Sequence, residues 1–377
     1  MKKLLFIFGT RPEAIKLASL IIYLKKNSQY DIEVCVTAQH REMLDQVLSL
    51  FDIVPDYDLD LMQKDQDLYD ITANSLKGIR KVIQESKPTH IIVHGDTTTT
   101  LTGALAGFYS NIEVCHVEAG LRTYDLKKPF PEEANRQIVS KLTTHHFCPT
   151  IESKSNLIKE GIDENKILIT GNTVIDTLRL AQDIINNDTN TRNKIQKSLE
   201  NKIYKEFYKD KYILITGHRR ESFGRGFTNI CESISKLAEE NSNINFIYPV
   251  HLNPNVSTPV NEILSKYENV FLIDPLDYID FVFLLMGSFF VLTDSGGIQE
   301  EAPSLGKPVL VMRDKTERPE AVNAGTVKLV GSSFNKIYEG ATQLIKDKNS
   351  YKKMARSINP YGDGEAAARI RDYFETI

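Results

Sequence analysis

Short apolar runs alternate with longer amphipathic segments along this chain of 377 residues. A strand buried on both faces is a continuous run of β-branched and aliphatic residues, whereas a helix that covers a sheet carries one apolar stripe. The alternation therefore predicts parallel, doubly wound sheets with helices on both faces, an α/β fold. In the first half of the chain, the runs predict strands at residues 4–8, 32–37, 90–94, 113–117, 145–148 and 166–169.

The second half of the chain repeats this pattern after a polar, helical stretch at about 172–210. We place the domain boundary near Gly171, with an N-terminal domain at 1–170 and a C-terminal domain at 171–359. The helical segment at about 360–377 is assigned to the N-terminal domain. Two Rossmann-like sheets that face each other across a cleft would bring the carboxyl ends of their strands to that cleft. The second series of predicted strands comprises 212–216, 245–250, 270–273, 289–293 and 308–312.

Charge and composition exclude several classes of partner. The chain has 46 Lys and Arg against 50 Asp and Glu, a net charge of -4, which provides no broad basic surface for nucleic acid. No stretch approaches the roughly 20 apolar residues of a membrane span, so we expect no membrane partner. The four cysteines lie far apart without a C-x-x-C pair, which is typical of free thiols in a reducing cytosol. We therefore expect a cytoplasmic protein.

A Ser-Gly-Gly turn follows one predicted strand of the C-terminal domain and opens a helix. Backbone N–H groups at Ser295, Gly296 and Gly297 could converge there on a phosphate, and the glycines would let it approach closely. Glu301, further along the helix, could accept hydrogen bonds from the vicinal diol of a ribose. The alternative is an ordinary serine N-cap.

Cations occupy comparable positions in other loops. Arg11 and Lys16 follow the first predicted strand, where they could hold a diphosphate or could be surface cations on a solvated helix. His218 lies between a glycine and two arginines on a loop after a strand, which favours a position facing a ligand. Arg318, on another loop of this kind, is a further candidate.

Carboxylates follow two neighbouring predicted strands of the N-terminal domain. Asp96 and Glu118 come just after these strands, and Glu132 opens a helix in which Arg136 lies one turn later. A guanidinium group disfavours a divalent cation, so we expect general acid and base chemistry and no metal. The alternative is that these carboxylates merely cap helices.

Two histidines accompany these carboxylates. Strand alternation would put His94 on the same face as Asp96, and His116 on the same face as Glu118. Two histidines and two carboxylates could also form a metal site, which remains an alternative.

Neither common nucleotide-cofactor motif is present. The G-x-G at Gly224 and Gly226 lacks the third glycine and lies well past its strand, and no G-x-x-x-x-G-K-[ST] occurs. The sequence therefore supports neither an NAD site nor a Walker-type ATP site, and we expect no cofactor.

Seven motifs together identify a family resemblance. In order they are FGTRPE (8–13), AQHREM (38–43), HGDTTT (94–99), HVEAGLRT (116–123), PEEANR (131–136), GHRRE (217–221) and DSGGIQEE (294–301). With this set, which extends to residues 359–364, the chain resembles the non-hydrolysing bacterial UDP-N-acetylglucosamine 2-epimerases.

The resemblance implies a glycosyltransferase-B fold, usually as a homodimer. It also implies reversible conversion of UDP-N-acetylglucosamine to UDP-N-acetylmannosamine, by elimination of UDP to 2-acetamidoglucal and readdition, for surface polysaccharide synthesis. By this resemblance the sugar would be surrounded by Asp96, Glu118, Glu132, Arg136 and His218. The nucleotide would be bound by Arg11, Lys16, His218, Phe281, Ser295, Gly296, Gly297, Glu301 and Arg318.

One position departs from the family pattern, and the resemblance also implies an activator site. Leu276 stands where some members have a polar residue, so only a backbone contact to uracil would survive there. Bacterial members also bind a second UDP-N-acetylglucosamine as an activator, for which Gln46, Arg219 and His251 lie in suitable segments. The open alternatives are a hydrolysing epimerase, a glycosyltransferase of the same fold and a non-catalytic nucleotide-sugar sensor.

Overall fold

The computed structural model describes residues 2–37, 41–62 and 66–377. The chain divides into two compact units, one formed by Met1–Arg179 with Tyr361–Ile377 and the other by Leu180–Pro360. Each unit contains one parallel sheet, which confirms the predicted α/β class with two parallel-sheet domains. No helix in the described part of the chain is long and apolar enough to cross a lipid bilayer.

Unit 1 is built on a seven-stranded parallel sheet with the order β3-β2-β1-β4-β5-β6-β7. Its strands are β1 (Lys3–Phe8), β2 (Asp31–Val36), β3 (Tyr57–Asp58), β4 (His90–His94), β5 (Glu113–Val117), β6 (His145–Cys148) and β7 (Ile167–Ile169). Its helices are α1 (Arg11–Asn27), α2 (Arg41–Leu50), α3 (Leu68–Ser86), α4 (Thr98–Tyr109), α5 (Glu132–Leu142), α6 (Ile151–Lys159), the first part of α7 (Thr173–Asn187) and the C-terminal α16 (Ala366–Phe374).

The central strand and the helix after it show how the sequence forms this unit. The last five residues of β1 are fully buried, as expected for a strand covered on both faces. Helix α1 begins with a capping box, in which the Thr10 hydroxyl accepts from the Glu13 N–H and the Glu13 carboxylate accepts from the Thr10 N–H. The carboxylate of Glu13 also accepts hydrogen bonds from the Thr97 and Thr100 hydroxyls, which ties the loop after β1 to the loop after β4.

The C-terminal helix completes unit 1. Phe374 is fully buried, and its ring packs edge-on against His90, Phe147 and Tyr30. At the other end of the helix, the Ala367 N–H donates to the Asp176 carboxylate at 2.8 Å. The chain therefore returns to its first domain after it has built the second.

Unit 2 has a six-stranded parallel sheet with the order β10-β9-β8-β11-β12-β13. Its core lies between this sheet and the surrounding helices and includes the fully buried Phe246, Tyr248 and Phe290. The strands are β8 (Tyr212–Thr216), β9 (Asn245–Pro249), β10 (Val270–Ile273), β11 (Val291–Thr293), β12 (Val309–Val311) and β13 (Val327–Leu329). The helices are α8 (Thr189–Glu200), α9 (Arg225–Glu240), α10 (Pro254–Leu264), α11 (Tyr278–Gly287), α12 (Ile298–Ser304), α13 (Pro319–Asn323), α14 (Phe334–Lys346) and α15 (Lys348–Ala355).

Two edge strands go beyond the sequence prediction. Strands β3 and β13 have two and three residues, and each includes an exposed position. Such short, half-exposed edges carry no continuous apolar run, so the pattern did not indicate them. The division between the units falls inside α7, just past the expected boundary near Gly171.

Candidate active site

The carboxylate of Asp96 lies just after β4 and is held by an arginine from α5. Arg136 donates to Asp96 Oδ2 through Nε at 2.9 Å and Nη2 at 2.7 Å. The Asn135 side chain donates to the Asp96 carbonyl at 2.8 Å. Burial disfavours the charge on Arg136, but the carboxylates of Asp96 and Glu133 outweigh it and raise the pKa of the guanidinium.

Glu118 occupies the equivalent position after the neighbouring strand β5. Its carboxylate forms a buried ion pair with the Lys16 ammonium group and accepts from Asn172 Nδ2 at 2.7 Å. A Cβ atom on Gly95 would lie 3.7 Å from Glu118 Oε1, so the turn that carries Asp96 lies beside this carboxylate.

The two carboxylates are not related to the histidines by strand alternation. Strand β4 ends at His94 and β5 ends at Val117, before either carboxylate. Gly95 and Glu118 then adopt positive φ angles of 67° and 64°. This left-handed backbone turns the chain out of the pleat, so the alternation expected from the sequence stops at the strand ends.

The histidines at these strand ends are buried and neutral near pH 7. Burial lowers the pKa of His94 to about 3 and that of His116 to about 4. His116 Nε2 donates to the Gly95 carbonyl at 2.7 Å, and His94 Nε2 lies 3.8 Å from Glu118 Oε2. The histidines thus shape the turn, while Lys16 provides the positive charge next to Glu118.

Helix α5 begins with two glutamates that have different roles. Glu133 is fully buried and accepts from the Thr123 and Tyr124 N–H groups, at 3.0 Å each, and from Arg136 Nη1 at 2.9 Å. Glu132 is partly exposed, and its Oε2 has no hydrogen-bond partner among the described residues. Glu133 therefore positions Arg136 and the 123–124 loop, which leaves Glu132 as the carboxylate available for chemistry.

In unit 2, one buried carboxylate holds the loop that carries His218. Asp294 Oδ2 accepts from the N–H groups of His218 at 2.6 Å and Arg219 at 2.7 Å. The His218 ring is exposed at the end of β8 and stacks on His251, with 5.3 Å between the ring centroids. Partial desolvation lowers the pKa of His218, although Asp294 acts in the opposite direction.

Arg318 packs directly over the Ser-Gly-Gly turn. A Cβ atom on Gly296 would lie 2.5 Å from Arg318 Nη1, so only glycine fits beneath the guanidinium group. Arg318 donates to Glu317 Oε1 at 2.7 Å and through Nε to Glu300. Burial raises the pKa of Glu317, but Arg318 and Arg313 outweigh it and bring this pKa down to about 2.

The remaining predicted binding residues lie around the same turn, in α1, or in and just before α11. Ser295 and Gly297 immediately precede α12, and the Ser295 N–H donates to Thr293 Oγ1 at 2.9 Å. Glu301, in the first turn of α12, accepts from the Tyr278 hydroxyl at 3.0 Å. Phe281 in α11 is partly exposed, Leu276 is buried before that helix, and Arg11 begins α1.

The structure thus forms two groups of polar residues, one in each unit. Three residues of these groups were not predicted from the sequence. Lys16 was expected beside a diphosphate with Arg11, but its ammonium group pairs with Glu118. Asn172, Glu133 and Asp294 were assigned no role from the sequence. Glu133 lies in the PEEANR motif and Asp294 begins the DSGGIQEE motif, so the sequence could have indicated both. Nothing in the sequence near Asn172 indicated its contact with Glu118.

Comparison with known proteins identifies a consistent family. The family model described as UDP-N-acetylglucosamine 2-epimerase matches residues 23–375. The chain is 55% identical over 369 residues to the UDP-N-acetylglucosamine 2-epimerase of Escherichia coli K12, covering 98% of this chain and 97% of that protein. It is 54% identical over 370 residues to the enzyme of the same name from Campylobacter jejuni, covering 98% and 96%.

Solved structures agree with these sequence matches. The chain is similar to the UDP-GlcNAc 2-epimerase of Neisseria meningitidis bound to UDP-GlcNAc, with a TM-score of 0.92, 51% identity and complete coverage of both chains. It is also similar to the Methanocaldococcus jannaschii UDP-GlcNAc 2-epimerase in complex with UDP-GlcNAc and UDP, with a TM-score of 0.83, 33% identity and complete coverage of both chains.

Proposed function

Because the chain belongs to the UDP-N-acetylglucosamine 2-epimerase family, we propose that it interconverts UDP-N-acetylglucosamine and UDP-N-acetylmannosamine by elimination and readdition of UDP. The main support for this mechanism is the pair of carboxylates, Asp96 and Glu118, at the ends of neighbouring strands. Each carboxylate is paired with its own cation, Arg136 or Lys16. Such groups can accept a proton from a sugar carbon and stabilise a positive centre.

In the proposed mechanism, the leaving group departs during inversion at C2. No carbonyl group adjoins this carbon, so a base alone would face too high a barrier. In the elimination, a base takes the C2 proton, the C–H electrons form the C1–C2 double bond, and the C1–O bond breaks to release UDP. Readdition of UDP to C1 with protonation of C2 on the opposite face gives the epimer. The cycle is redox-neutral and consumes no water.

The residues of unit 2 are proposed to stabilise the departing diphosphate. The N–H groups of Gly296 and Gly297 and the Ser295 hydroxyl would donate to phosphate oxygens, His218 would add an imidazole N–H, and Arg318 would supply positive charge. Arg11 of unit 1 is assigned the same role. Lys16 is assigned to the diphosphate as well, and it is also the counter-ion of Glu118.

The nucleoside is assigned to residues around α11 and α12. Glu301 would accept hydrogen bonds from the ribose diol, since its Oε1 is already oriented by Tyr278. Phe281 would contact the base or ribose, and Leu276 would contribute a backbone group to uracil. Asp96, Glu118 and Glu132 share the acid, base and charge-stabilising roles in this proposal, and Arg136 orients Asp96.

One incubation tests the proposal. Purified protein receives UDP-N-acetylglucosamine in D₂O without added cofactor, metal or acceptor, and the products are followed by NMR and mass spectrometry. We expect intact UDP-N-acetylmannosamine with deuterium at C2, because the proton that returns to C2 comes from solvent. Deuterium should also enter the remaining UDP-N-acetylglucosamine as the reaction reverses.

The alternatives give different products in the same tube. A hydrolysing epimerase would release UDP and free N-acetylmannosamine, whereas a glycosyltransferase without acceptor, or a nucleotide-sugar sensor, would leave the substrate unchanged. Epimerisation without deuterium at C2 would contradict the elimination mechanism while leaving the family assignment intact.

Further properties belong to this proposal. We expect a homodimer in the cytoplasm whose product supplies N-acetylmannosamine for surface polysaccharide. A second UDP-N-acetylglucosamine is proposed to bind near Arg219 and His251, with Gln46 from α2. Support comes from the stacking of His251 on His218, which would let an activator act directly on a residue of the diphosphate site.

A further inference from the structure

Three side chains that can ligate a metal meet at the amino-terminal ends of neighbouring strands in unit 1, whereas Asp96 and Glu118 follow the carboxyl ends. His90, Glu113 and His145 are the first residues of β4, β5 and β6, three adjacent parallel strands. The catalytic carboxylates follow the other ends of β4 and β5. The proposed function therefore does not use this cluster.

The geometry of the cluster is compact. Glu113 Oε2 lies 3.2 Å from His90 Nε2 and 2.9 Å from His145 Nε2, and all three ligand atoms lie within 4.8 Å of one another. Ligands about 2.0–2.1 Å from a tetrahedral Zn²⁺ would be separated from one another by roughly 3.3 Å. The side chains would therefore move by only about an ångström to enclose such an ion.

The other ring nitrogen of each histidine is already engaged. His145 Nδ1 lies 2.9 Å from the Tyr373 hydroxyl, and His90 Nδ1 lies 2.8 Å from Thr89 Oγ1. Histidines that ligate metals nearly always use their second nitrogen in this way, because the hydrogen bond fixes the ring and its tautomer. The Thr89 hydroxyl can also donate to the Lys3 carbonyl at 3.0 Å, so it can accept from His90 without losing a partner for its own proton.

Burial differs within the cluster in a way that suits an incoming ion. The side chains of His90 and His145 are about nine-tenths buried, whereas that of Glu113 is 52% exposed. The imidazoles are thus held rigidly, and the carboxylate remains open to solvent. Water could reach the fourth coordination position through this side.

We propose that His90 Nε2, His145 Nε2 and the Glu113 carboxylate form a binding site for one Zn²⁺ ion, with water as the fourth ligand. Two imidazoles and one carboxylate are a donor set suited to Zn²⁺ and poorly suited to Mg²⁺ or Ca²⁺, which prefer oxygen ligands. The role is structural, because the ion joins the beginnings of three strands and, through Tyr373, the C-terminal helix. From the sequence we expected no metal at the carboxylates and histidines of the opposite strand ends, and the present cluster was not considered.

The test uses the full-length protein, treated with EDTA and dialysed, and titrated calorimetrically with ZnCl₂. We expect one Zn²⁺ per chain and a metal-dependent rise in the melting temperature, since the ion binds the folded state preferentially. Glu113→Gln and His145→Gln should each weaken binding by at least tenfold. Tyr373→Phe removes only the hydroxyl group that orients His145 and should weaken binding by about tenfold.

A matched variant controls for adventitious binding to other histidines. His251→Gln removes one member of the stacked pair that His251 forms with His218 in unit 2, and it should leave Zn²⁺ affinity unchanged. Titration with Co²⁺ gives a second readout, because strong visible absorption in the wild type and its loss in Glu113→Gln report tetrahedral coordination. Absence of binding, unchanged affinity in Glu113→Gln, or loss of binding in His251→Gln would overturn the proposal. The melting temperature of each variant without metal shows whether it is folded.

Discussion

Asp96 and Glu118 each neutralise a buried cation, so their substitution affects charge as well as chemistry. Arg136 and Lys16 are almost completely buried. A buried charge that loses its partner retains its full desolvation cost. Variants that keep the shape of the side chain are therefore the informative ones.

We predict that Asp96→Asn and Glu118→Gln each lower kcat by about 10²–10⁴-fold with a modest change in KM, because each removes a carboxylate that the proposed mechanism uses as acid, base or charge stabiliser. Steady-state assays of epimerisation measure this. Asp125→Asn, at an exposed position of the loop before α5, is the matched control. Near wild-type turnover in both active-site variants would show that the site is assigned incorrectly.

We predict that Gly296→Ala lowers the free energy of unfolding of unit 2 by about 1–3 kcal/mol, as overpacking does. Its methyl group would lie 2.5 Å from Arg318 Nη1 and displace the guanidinium from Glu317. In Gly297→Ala the nearest atom is Glu301 Oε2 at 3.8 Å, so stability should change by less than about 0.5 kcal/mol. Urea unfolding compares the two variants, and equal stabilities would contradict this account of Gly296.

Residue types were easier to predict from the sequence than their partners. The motifs indicated Asp96, Glu118 and Arg318 because carboxylates and cations at strand ends are chemically conspicuous. That Lys16 pairs with Glu118 depends on the pairing of β1 with β4 and of β4 with β5, which no local pattern contains. The contact between Asn172 and Glu118, 54 residues apart along the chain, is a second example.

At the scale of elements, buried imidazoles make three strands of unit 1 sensitive to acid. Burial lowers the pKa of His94 in β4, His116 in β5 and His146 in β6 below the ordinary value. The unfolded chain binds these protons near pH 6.5, whereas the folded chain does not bind them until pH 3 to 4. The stabilisation is therefore complete above pH 6.5 and is lost as the pH falls below it.

We predict that His146→Gln reduces the pH dependence of stability. In the wild type, protonation of unfolded His146 costs on the order of 1 kcal/mol of stability between pH 6.5 and pH 5, since its pKa in the folded chain is about 3. Glutamine does not titrate, so the difference in free energy of unfolding between the wild type and His146→Gln should shrink or reverse at low pH. Urea unfolding at pH 5, 6 and 7.5 measures it, and parallel pH profiles would refute the assignment.

The apolar strands were predictable from the sequence, including the edge strands β7 and β10, but the edge strands β3 and β13 were not. Each central strand is a buried run that appears directly in the hydrophobic pattern. Strands β3 and β13 exist because a neighbouring strand offers unpaired backbone groups, and their own side chains contribute little. Their positions therefore follow from the assembled sheet.

At the scale of the whole molecule, the two units have separate cores. The main hydrophobic cluster of unit 2 contains buried residues from Ile213 to Leu344. Unit 1 depends on both ends of the chain, because Phe374 packs against Tyr30, His90 and Phe147. The sequence indicated that the C-terminal segment is helical, whereas its packing required the folded sheet.

We predict that Phe374→Ala destabilises unit 1 by about 3–5 kcal/mol, the usual cost of removing a buried aromatic ring, and leaves unit 2 nearly unchanged. Native-state hydrogen exchange with mass spectrometry resolves peptides from the two units. Phe108→Ala, whose side chain is 57% exposed, should alter neither unit strongly. Equal loss of protection in both units would show that their stabilities are not separable.

The return of the chain to unit 1 has a consequence for synthesis. The Lys2 ammonium group donates to the carbonyls of Phe374 and Ile377, the latter at 2.6 Å, so the start of β1 is tied to the end of the C-terminal helix. A ribosome delivers all of unit 2 before the residues that close unit 1. During synthesis, unit 1 therefore remains incomplete until α16 has been made. Until then the apolar surface around Phe147 is uncovered. A chain that lacked that helix would leave this surface exposed and become a substrate for proteases and chaperones.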